Sequence, residues 1–396
     1  MVTWAKRGLG VLCGFLLVAV AATPAAASNG GRGILSAPVC GPALAGAARC
    51  HSFTLLDRSG AKPLATTSPT GYGPADLQTA YSLPSTTAGG GQTVAIVDAY
   101  DDPKAESDLG VYRSTYGLPA CTTANGCFRK VNQSGGTSYP RADRGWALEI
   151  SLDVQMVSAV CPNCHILLVE ASSNSLSNLE AAVNEAAKLS ANEISNSYGG
   201  GEFSSETSAD AAYNHPGIAI TASSGDGGFG VEYPAASPFV TAVGGTTLTK
   251  LSGSGFAESA WSGAGSGCSA YEAQQSWQSS VSNITSVCSR RAVADVSADA
   301  DPNTGVSVYD SYGYQGQKGW FVVGGTSVSS PVIASVYALA GNAASVNYGS
   351  YPYSHTGSLH DITSGSNGSC GNVLCNATTG WDGPTGLGTP NGTGGF

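Results

Sequence analysis

Glu149 and Asp153 are the only charged residues between Trp146 and Val160. They stand four apart in an otherwise apolar stretch, so a helix there puts both carboxylates on one face. Two carboxylates buried together must share a proton or find partners. That suits a general base with a second carboxylate orienting it, although a solvent stripe on a core helix has the same spacing. Ser327 stands in Gly324-Gly-Thr-Ser-Val-Ser-Ser-Pro331, ahead of a helix-like run from Val332 to Ala340. The glycines permit a sharp turn and close approach of another backbone. Pro331 is expected in the first helical turn, where its missing N–H costs least. A helix N-terminus puts partial positive charge beside the serine and beside any oxyanion formed there, and an ordinary Ser/Thr cap reads the same way. Asp226, in Ser223-Ser-Gly-Asp-Gly-Gly228, follows the apolar run Ile218 to Ala222. It is either an Asx-turn aspartate or, when protonated, a donor to an oxyanion. Together the three pieces describe acyl transfer by a serine, with carboxyl groups in place of a histidine and a dependence on acid.

The elements that must position these residues alternate. Apolar runs of strand length occur at Thr93 to Asp98, His165 to Glu170, Glu193 to Tyr198, Gly217 to Ala222 and Phe239 to Gly244. Helix-like stretches run from Asp101 to Tyr116, Trp146 to Val160, Leu176 to Leu189 and Ser208 to Asn214, and Pro74 opens another towards Tyr81. Such alternation predicts a parallel sheet covered on both faces. Sites in such sheets gather at the carboxyl ends of strands, which puts Asp98, Ser195 to Gly201 and Ser223 to Gly228 along one edge. On this pattern Asp98 is an edge residue of the site.

Lys6 and Arg7, an apolar run from Gly8 to Ala22 and Ala25-Ala-Ala27 have the order of a secretory signal peptide. The apolar run is short for a membrane span. The chain is expected to be secreted, with residues 1–27 removed and no membrane contact afterwards. Cys13 lies in that signal, and ten cysteines remain in close pairs: 40 and 50, 121 and 127, 161 and 164, 268 and 288, 370 and 375. An even count in an exported chain reads as disulfides, with sequential pairing the simplest arrangement. Cys161-Pro-Asn-Cys164 could also bind zinc or act in redox, but no second CxxC accompanies it. Only 11% of residues are charged and the net charge is −10, against about 25% charged in ordinary domains. A charge-poor surface limits the repulsion that drives acid unfolding. Without a basic cluster the composition excludes nucleic acid as a partner. No nucleotide or organic cofactor signature is present.

The three motifs together resemble the sedolisin family of serine-carboxyl peptidases. That family has a Glu with an Asp four residues later, an Asp in SGD and a Ser in GTS, matching Glu149, Asp153, Asp226 and Ser327. Asn196-Ser-Tyr-Gly-Gly-Gly-Glu202, Val243-Gly-Gly-Thr-Thr-Leu248 and Asp295-Val-Ser-Ala-Asp-Ala-Asp301 extend the resemblance, in order, from about Tyr72 to Gly392. It implies an α/β, subtilisin-like three-layer fold with a mainly parallel central sheet flanked by helices. It implies a monomeric acid endopeptidase acting on polypeptides, with Glu149 as base, Asp153 orienting it, Asp226 at the oxyanion and Ser327 as nucleophile. The family also binds one structural calcium. The matching positions are the carboxylates of Asp361 and Asp382 and the carbonyls of Ile362, Thr378 and Gly380, in a loop over about 361–388. Oxygen donors of this kind suit a hard cation.

Two departures stand out. Family members carry a long folded propeptide, whereas here residues 28–70 form only a short pro-region or extension before the peptidase domain at 71–396. The Cys268 to Cys288 stretch reads as an extended loop near the substrate side. A neutral subtilisin-like peptidase is the rival enzyme, but His51, His165, His215, His355 and His360 all lack its His-Gly-Thr context. A silent binding protein on the same fold is the non-enzymatic rival, against which stand all four expected side chains.

Overall fold

The segment Thr93–Ala99 (β5) is buried along almost its whole length, as a strand covered on both faces must be. A computed structural model describes residues 1–4, 35–253 and 255–396. The signal peptide expected at 1–27, with Cys13, falls outside the described residues apart from Met1 to Trp4.

Strands β1 (Ser36–Pro38), β2 (Arg49–Cys50), β3 (Phe53–Leu55) and β4 (Ala65–Thr66) precede α1 (Pro74–Ala80) and β5. Then come α2 (Ala105–Thr115), β6 (Phe128–Asn132), α3 (Arg144–Val160), β7 (His165–Ala171), α4 (Leu176–Lys188), β8 (Glu193–Asn196) and β9 (Tyr198–Gly201). A short α5 (Glu206–Ala209) leads to β10 (Ala219–Ser223), β11 (Glu232–Tyr233), β12 (Thr241–Lys250), β13 (Phe256–Ala260) and β14 (Gly267–Ala273). The chain continues through α6 (Ser282–Thr285), β15 (Arg290–Val293), β16 (Val296–Asp299), β17 (Val306–Tyr314), β18 (Gln317–Gly324) and α7 (Thr326–Ala340).

The central sheet runs β13-β12-β10-β8-β5-β7-β6, with β16 also on β12. All its pairs are parallel except β12 with β13. Helices α3 and α7 pack on each other and on the sheet, and α4 packs on β5 and β7. The expected mainly parallel α/β architecture is therefore present. A separate antiparallel group joins β17 and β18, with β3 and β4 on β18 and β1 on β3. The stretch expected as a short extension thus contributes strands to the body of the molecule.

Three local expectations change. The run Glu193 to Tyr198 breaks at Ser197, and β9 pairs with β2 and β11 outside the central sheet. Ser208 to Asn214 forms only a turn of α5 and a 3-10 turn over Asp210–Ala212. Pro331 lies well inside α7 rather than in its first turn, because the helix begins at Thr326. Its missing N–H leaves the Ser327 carbonyl without its helical donor, and Ser197 Oγ donates to that oxygen at 3.4 Å.

The cysteines pair sequentially: 40–50, 121–127, 161–164, 268–288 and 370–375. Cys161 and Cys164 form a bridge and are fully buried. No helix among the described residues is long and apolar enough to cross a membrane.

Candidate active site

Helix α3 has an N-cap, Asp143, whose carboxylate accepts from the N–H groups of Gly145 and Trp146. Both Glu149 and Asp153 are fully buried, so the solvent-stripe alternative is excluded. At the start of α7, Gly325 turns with φ of 105° and Ser327 follows as the second helical residue. Glycine is required at 325, because a Cβ there would collide with the His51 carbonyl oxygen, Asp226 Oδ2 and Ser52 Cα. Asp226 lies on the loop after β10, and Asp98 near the end of β5.

The four expected residues come together. Glu149 lies close enough to the hydroxyls of Ser327 and Ser52 for them to favour its anion, and it feels the charges of Asp226 and His51. Neither hydroxyl is aligned onto it, and its oxygens have no hydrogen-bond partner among the described residues. Ser327 Oγ donates instead to the Ser197 carbonyl at 3.1 Å. Burial pushes Glu149 up to about 8. Burial and the neighbouring Glu149 push Asp153 well above the carboxylate range, and Asp98 rises for the same reasons, with Asp153 and Glu149 both beside it. Burial and mutual repulsion thus favour the protonated forms of all three, and Glu149 and Asp153 titrate together as a pair.

Asp226 Oδ1 accepts from the N–H of Thr326 at 2.8 Å and from Thr326 Oγ1 at 2.9 Å. Its Oδ2 is buried and has no partner among the described residues. Burial raises Asp226 to about 6, against the charge of His51 and the Thr326 donors. A carboxyl held this way is protonated in mild acid and can donate through Oδ2.

His51 is the residue sequence reasoning missed. Its ring is fully buried, with Nδ1 2.7 Å from Ser223 Oγ and Nε2 2.9 Å from Glu232 Oε2. Burial works against the charged ring, but Glu232 outweighs it and raises the pKa. Burial also opposes the Glu232 anion, yet His51 and Arg49 bring it down to about 2. Gly199 makes room for the ring, since a Cβ there would sit 2.6 Å from His51 Cε1. The Gly-rich run after Ser197 was the only sequence signal for such a pocket.

In the C-terminal loop, Asp382 Oδ2 accepts from Thr378 N–H at 3.0 Å and Oδ1 from Thr385 N–H at 3.0 Å. Asp361 Oδ2 accepts from Gly380 N–H at 2.9 Å. Burial, with Asp361 adding to it, raises Asp382 to about 7. The carbonyls of Ile362, Thr378 and Gly380 take no hydrogen bond from the described residues. Carboxylate and free carbonyl oxygens fit a hard cation. No group of three or more His, Cys, Asp or Glu side chains suited to a metal occurs among the described residues, so any cation here relies on backbone oxygen.

Residues 133–351 match the subtilase family model. The chain is 30% identical to sedolisin of Pseudomonas sp. over 86% of its length and 31% identical to kumamolisin of Bacillus sp. over 82%. It spans 63% of the length of each of these relatives. Among solved structures it resembles Pseudomonas sedolisin, described as a serine-carboxyl proteinase, with a TM-score of 0.68 and 28% identity over 82% of this chain and 96% of that one. Sphericase, at 18% identity and a TM-score of 0.52 over 82% of this chain and 98% of that one, shares the fold. The chain belongs to the subtilase family.

Proposed function

We propose that this chain is an exported serine-carboxyl peptidase, active in acid, that hydrolyses polypeptides through an acyl-enzyme on Ser327. The observation that carries the reading is the convergence of Ser327, at the start of α7, with buried Glu149 and the unpartnered Oδ2 of Asp226. In the form of the Glu149–Asp153 pair that carries one proton, Glu149 takes the hydroxyl proton of Ser327 as the oxygen attacks the peptide carbonyl. Asp153 holds the second proton and orients Glu149. The Ser327 N–H and protonated Asp226 stabilise the oxyanion. Glu149 returns its proton to the leaving amine, and water then resolves the ester. His51 is committed to Ser223 and Glu232, which disfavours a subtilisin-like role for it. One structural calcium in the 361–388 loop, held by Asp361, Asp382 and the carbonyls of Ile362, Thr378 and Gly380, belongs to the same reading, as does a monomeric state.

A peptide ester that deacylates slowly tests the nucleophile. After acid quench, mass spectrometry is expected to place the acyl adduct on Ser327, with none in Ser327→Ala and much less in Glu149→Gln. An adduct on any other residue overturns the assignment.

A further inference from the structure

We propose that Glu202, Glu206, Asp210 and Glu272 form a proton-operated latch, closed in acid and open towards neutrality, that holds the disulfide arm over residues 267–293 to the strand beside Ser327. The arm is the antiparallel pair β14 and β15, closed by the Cys268–Cys288 bridge. The four carboxyl groups come from three segments and meet where β14 docks. Glu202 follows β9, Glu206 and Asp210 lie on α5 and the 3-10 turn after it, and Glu272 lies on β14. Glu206, Asp210 and Glu272 are buried. The residue that leads into β9 is Ser197, whose carbonyl accepts from Ser327 Oγ.

Glu202 supplies the direct tie to the arm. Its carboxylate accepts from Ser269 Oγ and, at 3.2 and 3.1 Å, from the Ala270 N–H. Ser269 Oγ in turn accepts the Glu272 N–H at 2.8 Å. These donors fix Glu202 as an acceptor, so the proton it shares with its neighbour Glu206 belongs to Glu206. Glu206 Oε2 accepts the Phe203 N–H at 2.7 Å, which leaves Oε1, buried and without a donor among the described residues, to carry that proton. Glu272 Oε1 is likewise buried and unpartnered, beside Asp210, whose Oδ1 is 3.3 Å from Tyr233 Oη. Two carboxyl groups side by side in a buried place hold together only while one proton lies between them.

Burial pushes Glu206 up to about 8, against the Phe203 N–H and with the charges of Glu202 and Glu272 adding to it. Burial pushes Glu272 up to about 8 as well, with Asp210 and Glu202 adding to it and Arg290 of β15 opposing. Burial raises Asp210, against Ser237, Glu272 and Tyr233. Glu180 of α4 and Tyr213 also face Asp210 and bring no positive charge. Carboxyl groups raised in this way bind more protons with the arm docked than with it free. Docking is therefore strongest below the ordinary carboxylate range, weakens as pH rises from about 4.5, and has lost the shared protons above about 8. The disulfide keeps β14 and β15 together, so the arm is released as one piece.

The latch does not depend on what Ser327 does. Its test uses the full-length secreted chain carrying Ser327→Ala, which on the peptidase reading cannot digest itself. Hydrogen exchange of single amides is measured at about pH 5 and about pH 8 and corrected for the intrinsic rate. In this parent the Ala270 amide is expected to lose protection by at least about tenfold at the higher pH, while the Val97 amide of β5 keeps its own. Adding Glu206→Gln and Glu272→Gln puts a permanent N–H donor where each proton lay. That variant is expected to hold Ala270 protection within about threefold over the same range. Equal protection of Ala270 at both pH values in the parent overturns the latch, and this result needs no further variant to fold. Parallel loss at Val97 overturns it too, because the whole fold would then be opening. So does a Gln variant that loses Ala270 protection as the parent does, because the titrating groups would lie elsewhere.

Discussion

The N–H of Ser327 donates to the carbonyl oxygen of His51 at 2.9 Å, across most of the length of the chain. The N-terminal strands and the helix bearing Ser327 therefore meet at the candidate site, where the His51 ring fills a closed pocket against Ser223 and Glu232. Gly199 lines that pocket. Gly199→Ala is expected to lose about 1–3 kcal/mol in denaturant unfolding, because the new Cβ would lie 2.6 Å from His51 Cε1 and push the ring from its place. A loss below about 0.5 kcal/mol would show that Gly199 does not shape the pocket.

Asp226 is held at about 6 by burial. Its proton is present below that pH and lost as pH rises through it, so on the proposed mechanism the oxyanion loses a donor towards neutrality. Asp226→Asn keeps an N–H donor at every pH. The variant is expected to be slower at about pH 4 but to keep a flatter rate above about pH 6. A variant with the unchanged wild-type decline would show that another group sets that limb.

The Asp382 carboxyl rests at about 7 with Asp361 beside it. A carboxyl raised in the folded state costs stability as pH rises above its unfolded value, until a cation compensates its charge. Added calcium is therefore expected to raise Tm more at about pH 7 than at about pH 4.5, where protons compete for the same oxygens. A Tm at neutral pH that ignores both calcium and chelator would remove the cation from this loop.

Arg291 and Asp295 form a fully buried pair, with Nη1 to Oδ1 at 2.7 Å and Nη2 to Oδ2 at 2.5 Å. Asp295 also accepts from Ala242 N–H and Tyr353 Oη, both at 2.8 Å. Removing the guanidinium leaves a buried carboxylate uncompensated. Arg291→Ala is expected to lose about 3–5 kcal/mol in denaturant unfolding. A loss below about 1 kcal/mol would mean that water or a shifted donor replaces the arginine.

The sheet strands, α3, α4 and the four candidate site residues are legible in the sequence because each depends on a local pattern. Glu149 and Asp153 share a face by helical spacing alone, and Asp226 and Ser327 sit in Gly-rich turns beside an apolar strand and a helix. Pro331 misleads, because a proline inside a helix reads locally as a helix start. Here Ser197 Oγ serves the Ser327 carbonyl left without its helical donor. His51 is illegible for a different reason. Its place depends on β2 finding β9, a pairing between distant segments that no local pattern encodes. Glu232 is hidden likewise, since its partners His51 and Arg49 come from the same distant segment.

The central claim is that Ser327 is the nucleophile of an acid peptidase. The direct measurement is hydrolysis of an unfolded protein by secreted wild type and Ser327→Ala at about pH 4 and about pH 7.5. Activity in wild type alone, and mainly at the lower pH, is the predicted result. Equal activity in Ser327→Ala, or wild-type activity mainly at the higher pH, would contradict it.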